Sequence, residues 1–114
     1  MHEISLLLAL IDMVREKLPD RTVRRVRLEV GRLAMAQPEL LRSGWEVCRR
    51  GTPLEAAELE LQVVPGQALC RACSRTVRLD SALEPCPLCG SYQLEWTSGR
   101  DLRIVEIEVD EDVR

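Results

Sequence analysis

An apolar repeat at helical spacing opens the chain, three later segments alternate apolar and charged residues with period two, and two Cys-x-x-Cys knuckles interrupt the last pair of those segments. Together they predict an α+β fold: a small mixed three-stranded sheet packed by two helices, with an inserted four-cysteine, zinc-ribbon-like domain. The predicted order is helix, strand, helix, strand, four-cysteine module, strand. The module spans residues 67–97, and residues 1–66 and 98–114 form the other domain. Joined through only two connections, near Pro65-Gly66 and Ser98-Gly99, the module can tilt as a unit.

Ile4, Leu7, Leu8, Ile11, Val14 and Leu18 recur at helical spacing, with Leu6, Leu10 and Met13 widening the apolar face, and Pro19 stops the pattern. Val26, Leu28 and Val30 then alternate with Arg25, Arg27 and Glu29 in a half-buried strand ending at Gly31. Pro38 suits a first helical position, so a second helix runs from there to just before Gly51, with Leu40, Leu41, Gly44, Val47 and Cys48 on one broad face. Leu59, Leu61 and Val63 alternate with Glu58, Glu60 and Gln62 up to Pro65-Gly66, and a third strand follows near Leu102 to Val109. Its alternation slips between Ile104 and Val105, which predicts a bulge.

The outward faces carry a charge code. The first strand shows Arg25 and Arg27, the second Glu58 and Glu60, the third Glu106 and Glu108. Opposite charges across a strand pair contribute roughly 0.2–1 kcal/mol, and like charges cost a similar amount. The basic strand is therefore expected between the two acidic ones.

The knuckles, Cys70-Arg-Ala-Cys73 and Cys86-Pro-Leu-Cys89, are the strongest chemical signal. Each offers two thiolates from one tight turn, and the intervening loop is long enough to close a tetrahedral cage of four cysteines for zinc. Pro87 fixes its turn, and Gly90 lets backbone amides face the sulfurs without a Cβ clash. Iron in a rubredoxin-like cage and a pair of disulfides are the competing readings. A closed cage leaves no coordination position for substrate, so Zn(II) here is structural and does not name the function. Cys48, on the apolar face of the second helix, reads as a small core residue. Arg49 and Arg50 read as a solvated helix end, and Asp110, Glu111 and Asp112 as a solvated tail.

Composition excludes several classes. The net charge of −3 is mild, and Arg71, Arg75 and Arg78 are offset by Asp80 and Glu84 with only Tyr92 nearby, so a nucleic-acid surface is not expected. No stretch reaches the roughly 20 apolar residues of a membrane span. The run from Ile4 to Ile11 follows His2 and Glu3 rather than Lys or Arg, unlike a signal peptide, and predicts a cytoplasmic protein with reduced cysteines. No Ser-His-Asp set, phosphate loop or open metal site is visible, which argues against an enzyme.

The other chemical feature is Met1-His2-Glu3. His2 is the single histidine, placed where its imidazole, its backbone nitrogen and the Met1 α-amine could close chelate rings on one metal. The amide nitrogen or carboxylate of Glu3 could add a ligand. Nitrogen-rich, nearly planar sets suit Ni(II) or Cu(II). The plain alternative is a solvated terminal histidine.

Met1-His2-Glu3-Ile4-Ser5 opening a helix, Val30-Gly31-Arg32-Leu33 after a strand, Gly51-Thr52-Pro53 before Glu58-Leu59-Glu60, and the closing Cys86-Pro87-Leu88-Cys89-Gly90-Ser91 resemble the HypA/HybF family of hydrogenase-maturation nickel metallochaperones. The resemblance runs nearly the whole chain. It implies nickel held by the Met1 amine, His2, and the backbone nitrogens of His2 and Glu3, with zinc on Cys70, Cys73, Cys86 and Cys89. It also implies delivery of Ni(II) to the large subunit of a [NiFe] hydrogenase and docking to a HypB-type GTPase, with the protein a monomer or homodimer. Two departures stand out: no histidine flanks the knuckles, and the second helix carries Gly44-Trp45 where the family leads one to expect phenylalanine-rich sequence, so its packing or partner surface differs. The alternative function is a zinc-ribbon module binding protein or nucleic acid without nickel transfer.

Overall fold

A computed structural model describes residues 2–110. The elements are α1 (His2–Lys17), β1 (Val23–Gly31), α2 (Pro38–Cys48), β2 (Glu58–Val64), β3 (Gly66–Cys70), β4 (Thr76–Leu79), β5 (Leu94–Ser98) and β6 (Leu102–Val109). The fold is α+β, with two three-stranded sheets ordered β2-β1-β6 and β4-β3-β5. The chain divides into two compact units: one runs up to Leu28 and includes Gln37–Leu61 and the chain from Ile104, the other comprises Glu29–Ala36 and Gln62–Arg103.

In the first unit α1 buries Leu7, Leu10, Ile11 and Val14. Ile4 and Leu8, expected on the buried stripe, are exposed at 38% and 48%. An apolar arc this wide is compatible with several rotations, and packing against α2 selects one. At Gly44 a Cβ would lie 2.8 Å from Ile4 Cδ1 and 3.0 Å from Leu7 Cδ1, so the missing side chain is what lets α1 approach. The buried side of α2 is correspondingly Leu41, Gly44 and Trp45. Leu40 and Val47, assigned to that face from sequence, are exposed. Trp45 Nε1 donates to the Ala57 carbonyl at 2.9 Å, and Arg49 Nη1 donates to the same oxygen at 3.1 Å while its Nη2 meets Glu46 at 3.0 Å. Arg49 is thus structural, not simply a solvated helix end.

The basic strand β1 lies between the two acidic strands, as the charge code predicts. Arg25 reaches Glu60 of β2 at 3.3 Å and Glu108 of β6 at 3.6 Å, and Arg27 reaches Glu60 at 2.7 Å and Glu106 at 3.1 Å. Asp110 belongs to this arrangement rather than to a solvated tail. Its N–H donates to Thr22 O at 2.9 Å and its carboxylate meets Arg24 at 3.7 Å. Glu111 and Asp112 lie outside the described residues. Along β6 the exposure alternation breaks at Val105 and Glu106, both exposed.

In the second unit β3 is central and antiparallel to β4 and β5, with Ala68 opposite Val77 and Trp96, and an irregularity between Gln67 and Ala68 on the β5 side. Strands of four or five residues hold too few positions to register as period two, so sequence reading finds the knuckles and not this sheet. The core here is Leu33, Ala68, Cys70, Val77, Leu79 and Cys86. Leu33, just past the end of β1, is held by its N–H bond to Gly99 O at 2.8 Å, flanked by Gly31 N to Asp101 O at 2.9 Å and Arg32 N to Val64 O at 3.0 Å.

Candidate metal centre

Cys70 is the last residue of β3, so the sheet delivers the first sulfur directly to its position. The two knuckles then fold identically. Cys70 N donates to Arg75 O and Ser74 N to Cys70 O, both at 2.8 Å, and in the second knuckle Cys86 N donates to Ser91 O and Gly90 N to Cys86 O, again at 2.8 Å. This turn needs a left-handed residue just after its second cysteine. Gly90 meets the requirement at φ 79°, and Ser74 adopts φ 62° without a glycine's freedom.

All four sulfurs lie within 4.8 Å of one another. Cys70 and Cys89 Sγ are 3.6 Å apart and Cys73 and Cys86 Sγ 3.8 Å, so each close pair takes one sulfur from each knuckle. These separations exceed an S–S bond of about 2.05 Å and match the roughly 3.8 Å edge of a tetrahedron built on Zn–S bonds of about 2.3 Å. All four cysteines are free thiols. The donor set therefore fits a tetrahedral metal ion.

The protonation energetics agree. The Cys73 amide pointing at Cys70 favours its thiolate and brings Cys70 down to about 7. Burial pushes the Cys73 thiol up. At Cys89 the Ser91 amide favours the thiolate, yet the neighbouring Cys70 sulfur, burial and the other two cysteines push it up to about 12. Four anionic sulfurs this close repel one another, and a bound cation is what allows them to ionise together near neutral pH. Cys48 is half-buried and is not part of the group.

At the other predicted site, Met1 lies outside the described residues. His2 is exposed in the first turn of α1. Glu3, by contrast, is buried at 4% exposure, and its Oε2 accepts a hydrogen bond from Gln37 N at 3.0 Å. That bond holds the Glu3 carboxyl below its ordinary range. Nothing in the sequence pairs Glu3 with Gln37, because the contact spans 34 residues.

The family model described as "Hydrogenase/urease nickel incorporation, metallochaperone, hypA" matches residues 1–109. The chain belongs to the HypA family. The hydrogenase maturation factor HypA of Beijerinckia indica is 46% identical over 112 residues, covering 96% of this chain and 99% of that protein. The HypA of Methylocella silvestris is 42% identical over 113 residues, covering 96% and 100%. The solution structure of the Ni metallochaperone HypA from Helicobacter pylori shares the fold, with a TM-score of 0.61 at 22% identity over 93% of this chain and 92% of that one. HypA-family proteins are metallochaperones and maturation factors for hydrogenase/urease nickel incorporation, not enzymes. Among the described residues, no helix is long and apolar enough to cross a membrane.

Proposed function

We propose that this HypA-family chain binds Ni(II) at its N-terminus and delivers it for maturation of [NiFe] hydrogenase, while Zn(II) on Cys70, Cys73, Cys86 and Cys89 is structural. The ligands are the Met1 amine, the His2 imidazole, and the backbone nitrogens of His2 and Glu3. The observation that supports this most is the start of α1 at His2. In the first turn of a helix no carbonyl one turn back accepts the amide N–H groups, so ligation through the nitrogens of residues 2 and 3 does not break the helix ladder. His2 is also exposed, which lets a donor or acceptor protein reach the ion.

Zinc, when bound, cross-links the two knuckles and supplies no open coordination position. We take the zinc-binding domain as residues 67–97 inserted in a nickel-binding domain of residues 1–66 and 98–114. A HypB-type GTPase and the hydrogenase large subunit are the partners, in the cytoplasm.

Nickel titration of untagged, zinc-loaded protein tests the proposal. One ion is expected per chain, with affinity falling steeply on acidification, because nitrogen ligands must shed their protons to bind a metal ion. An N-terminal extension removes the amine ligand and is expected to abolish binding while zinc and fold persist. Cu(II) is expected to bind more tightly than nickel. Equal nickel affinity with and without the extension refutes the site.

A further inference from the structure

We propose that the Glu3 carboxylate is a positioning group for the N-terminal nickel site: it fastens the start of α1 to the start of α2 and leaves coordination to nitrogen. This rests on the nickel assignment above. Glu3 is the buried charged residue of the described chain, although it stands next to exposed His2 in a first helical turn. Its carboxylate accepts from the N–H of Glu3 itself and, across to another helix, from Gln37. Gln37, the N-cap of α2, is extended at φ −94°, ψ 123°, and makes no side-chain cap bond of its own. Pro38 follows at the first helical position. Glu3 Oε2, 3.0 Å from Gln37 N, supplies from another helix the acceptor that a Ser or Asp cap supplies locally. Being anionic, it also sits favourably at the positive end of the α2 dipole.

A carboxylate used in this way is poorly placed to serve as a metal ligand. Swinging it toward nickel would strip the acceptor from Gln37 N–H and remove the anion from the helix terminus. The backbone nitrogen of residue 3 has the opposite relation to the anchor, since it shares a Cα with the fastened side chain. The contact continues along the helix pair, where Ile4 and Leu7 pack over Gly44. Anchoring residue 3 reduces the conformations the terminal residues surrender when they wrap a planar four-nitrogen site, so it raises affinity by preorganisation.

The test titrates untagged, zinc-loaded Glu3→Gln, Glu3→Ala and His2→Ala with nickel alone, recording visible spectra of the bound ion and thermal melts. Glu3→Gln keeps an acceptor for Gln37 N–H and is expected to bind with the wild-type spectrum and an affinity within about threefold. Glu3→Ala is expected to melt lower and bind roughly tenfold more weakly, with an unchanged spectrum at saturation. If Glu3→Gln melts like wild type but changes the spectrum or loses tenfold in affinity, the carboxylate is a ligand and the inference is overturned. If Glu3→Ala melts lower yet binds like wild type, Glu3 is a helix cap alone, which also overturns it. Should Glu3→Ala fail to fold, Glu3→Gln decides. His2→Ala tests the underlying assignment separately: wild-type nickel binding by that variant removes the N-terminal site itself, whatever the Glu3 variants do.

Discussion

Gly99→Ala is expected to be among the most damaging single-methyl changes in this protein, and Gly51→Ala supplies its internal control. Both glycines have left-handed backbones, φ 70° and 72°. A non-glycine residue there costs roughly 1–2 kcal/mol, offset by about 0.4–1 kcal/mol from the reduced freedom of the unfolded chain. At Gly51 nothing lies within 4 Å of the added Cβ, so the net loss is about 1 kcal/mol. At Gly99 the same Cβ would fall inside contact distance of the Pro65 carbonyl and 2.8 Å from Gly66 Cα. Both neighbours are backbone and cannot rotate away. Overpacking of this kind adds roughly 1–3 kcal/mol. Displacing Gly99 also strains the Leu33 N–H bond to its carbonyl, about 1 kcal/mol more. The total is about 3–5 kcal/mol. Urea unfolding of the zinc-loaded variants, read from midpoints at unchanged slope, measures the difference directly. Since about 1 kcal/mol shifts the melting point of a domain this size by roughly 4 °C, the two variants should melt about 8–16 °C apart. Midpoints equivalent to within about 0.5 kcal/mol would show that torsion, not backbone crowding, sets the cost.

Arg27→Ala breaks two half-exposed ion pairs, to Glu60 and Glu106, and is expected to cost about 1 kcal/mol, less at high salt. Arg27→Glu should cost more, with Glu60→Arg restoring part of the loss in a double-mutant cycle. The Glu3 carboxyl is held low in the fold, so its contribution to stability is present above the ordinary glutamate pKa and is lost as pH falls through the depressed value. Melting temperatures measured downward from pH 6 should therefore drop in wild type below about pH 4.3, and drop less in Glu3→Gln. Zinc uptake by metal-free protein at pH 7 should release protons, mostly from the cysteines that ionise after Cys70, since Cys70 itself lies at about 7 and Cys89 at about 12. Dye-reported proton counts near zero at full zinc loading contradict that order, and zinc retention against a chelator should weaken as pH is lowered.

Much of the architecture was legible because it is written in local signals. Gly31, Pro38 and Pro65 mark the ends or starts of β1, α2 and β2. The knuckle spacing marks the four-sulfur cluster, and the alternating charges even order the strands, because Arg25 and Arg27 can satisfy Glu60, Glu106 and Glu108 only from the centre of the sheet. The helix faces were less legible. With Ile4, Leu7, Leu8, Leu10 and Ile11 all apolar, α1 has no unique buried stripe, and the choice falls to Gly44 on another helix. The nickel assignment likewise came from the resemblance of Met1-His2-Glu3 and the paired knuckles to a family, since three terminal residues alone do not separate a metal site from a solvated end.

By itself the sequence determined the periodicities, the caps and the cysteine spacing, all of which report geometry between residues near one another along the chain. Tertiary structure alone decided that Leu33 joins the core around Cys70 and Cys86, that Gly99 must lack a side chain, and that Glu3 caps a helix 34 residues away. Each of these depends on two distant segments meeting at van der Waals or hydrogen-bond distance. Periodicity states which residues share a face, and only packing states what covers it.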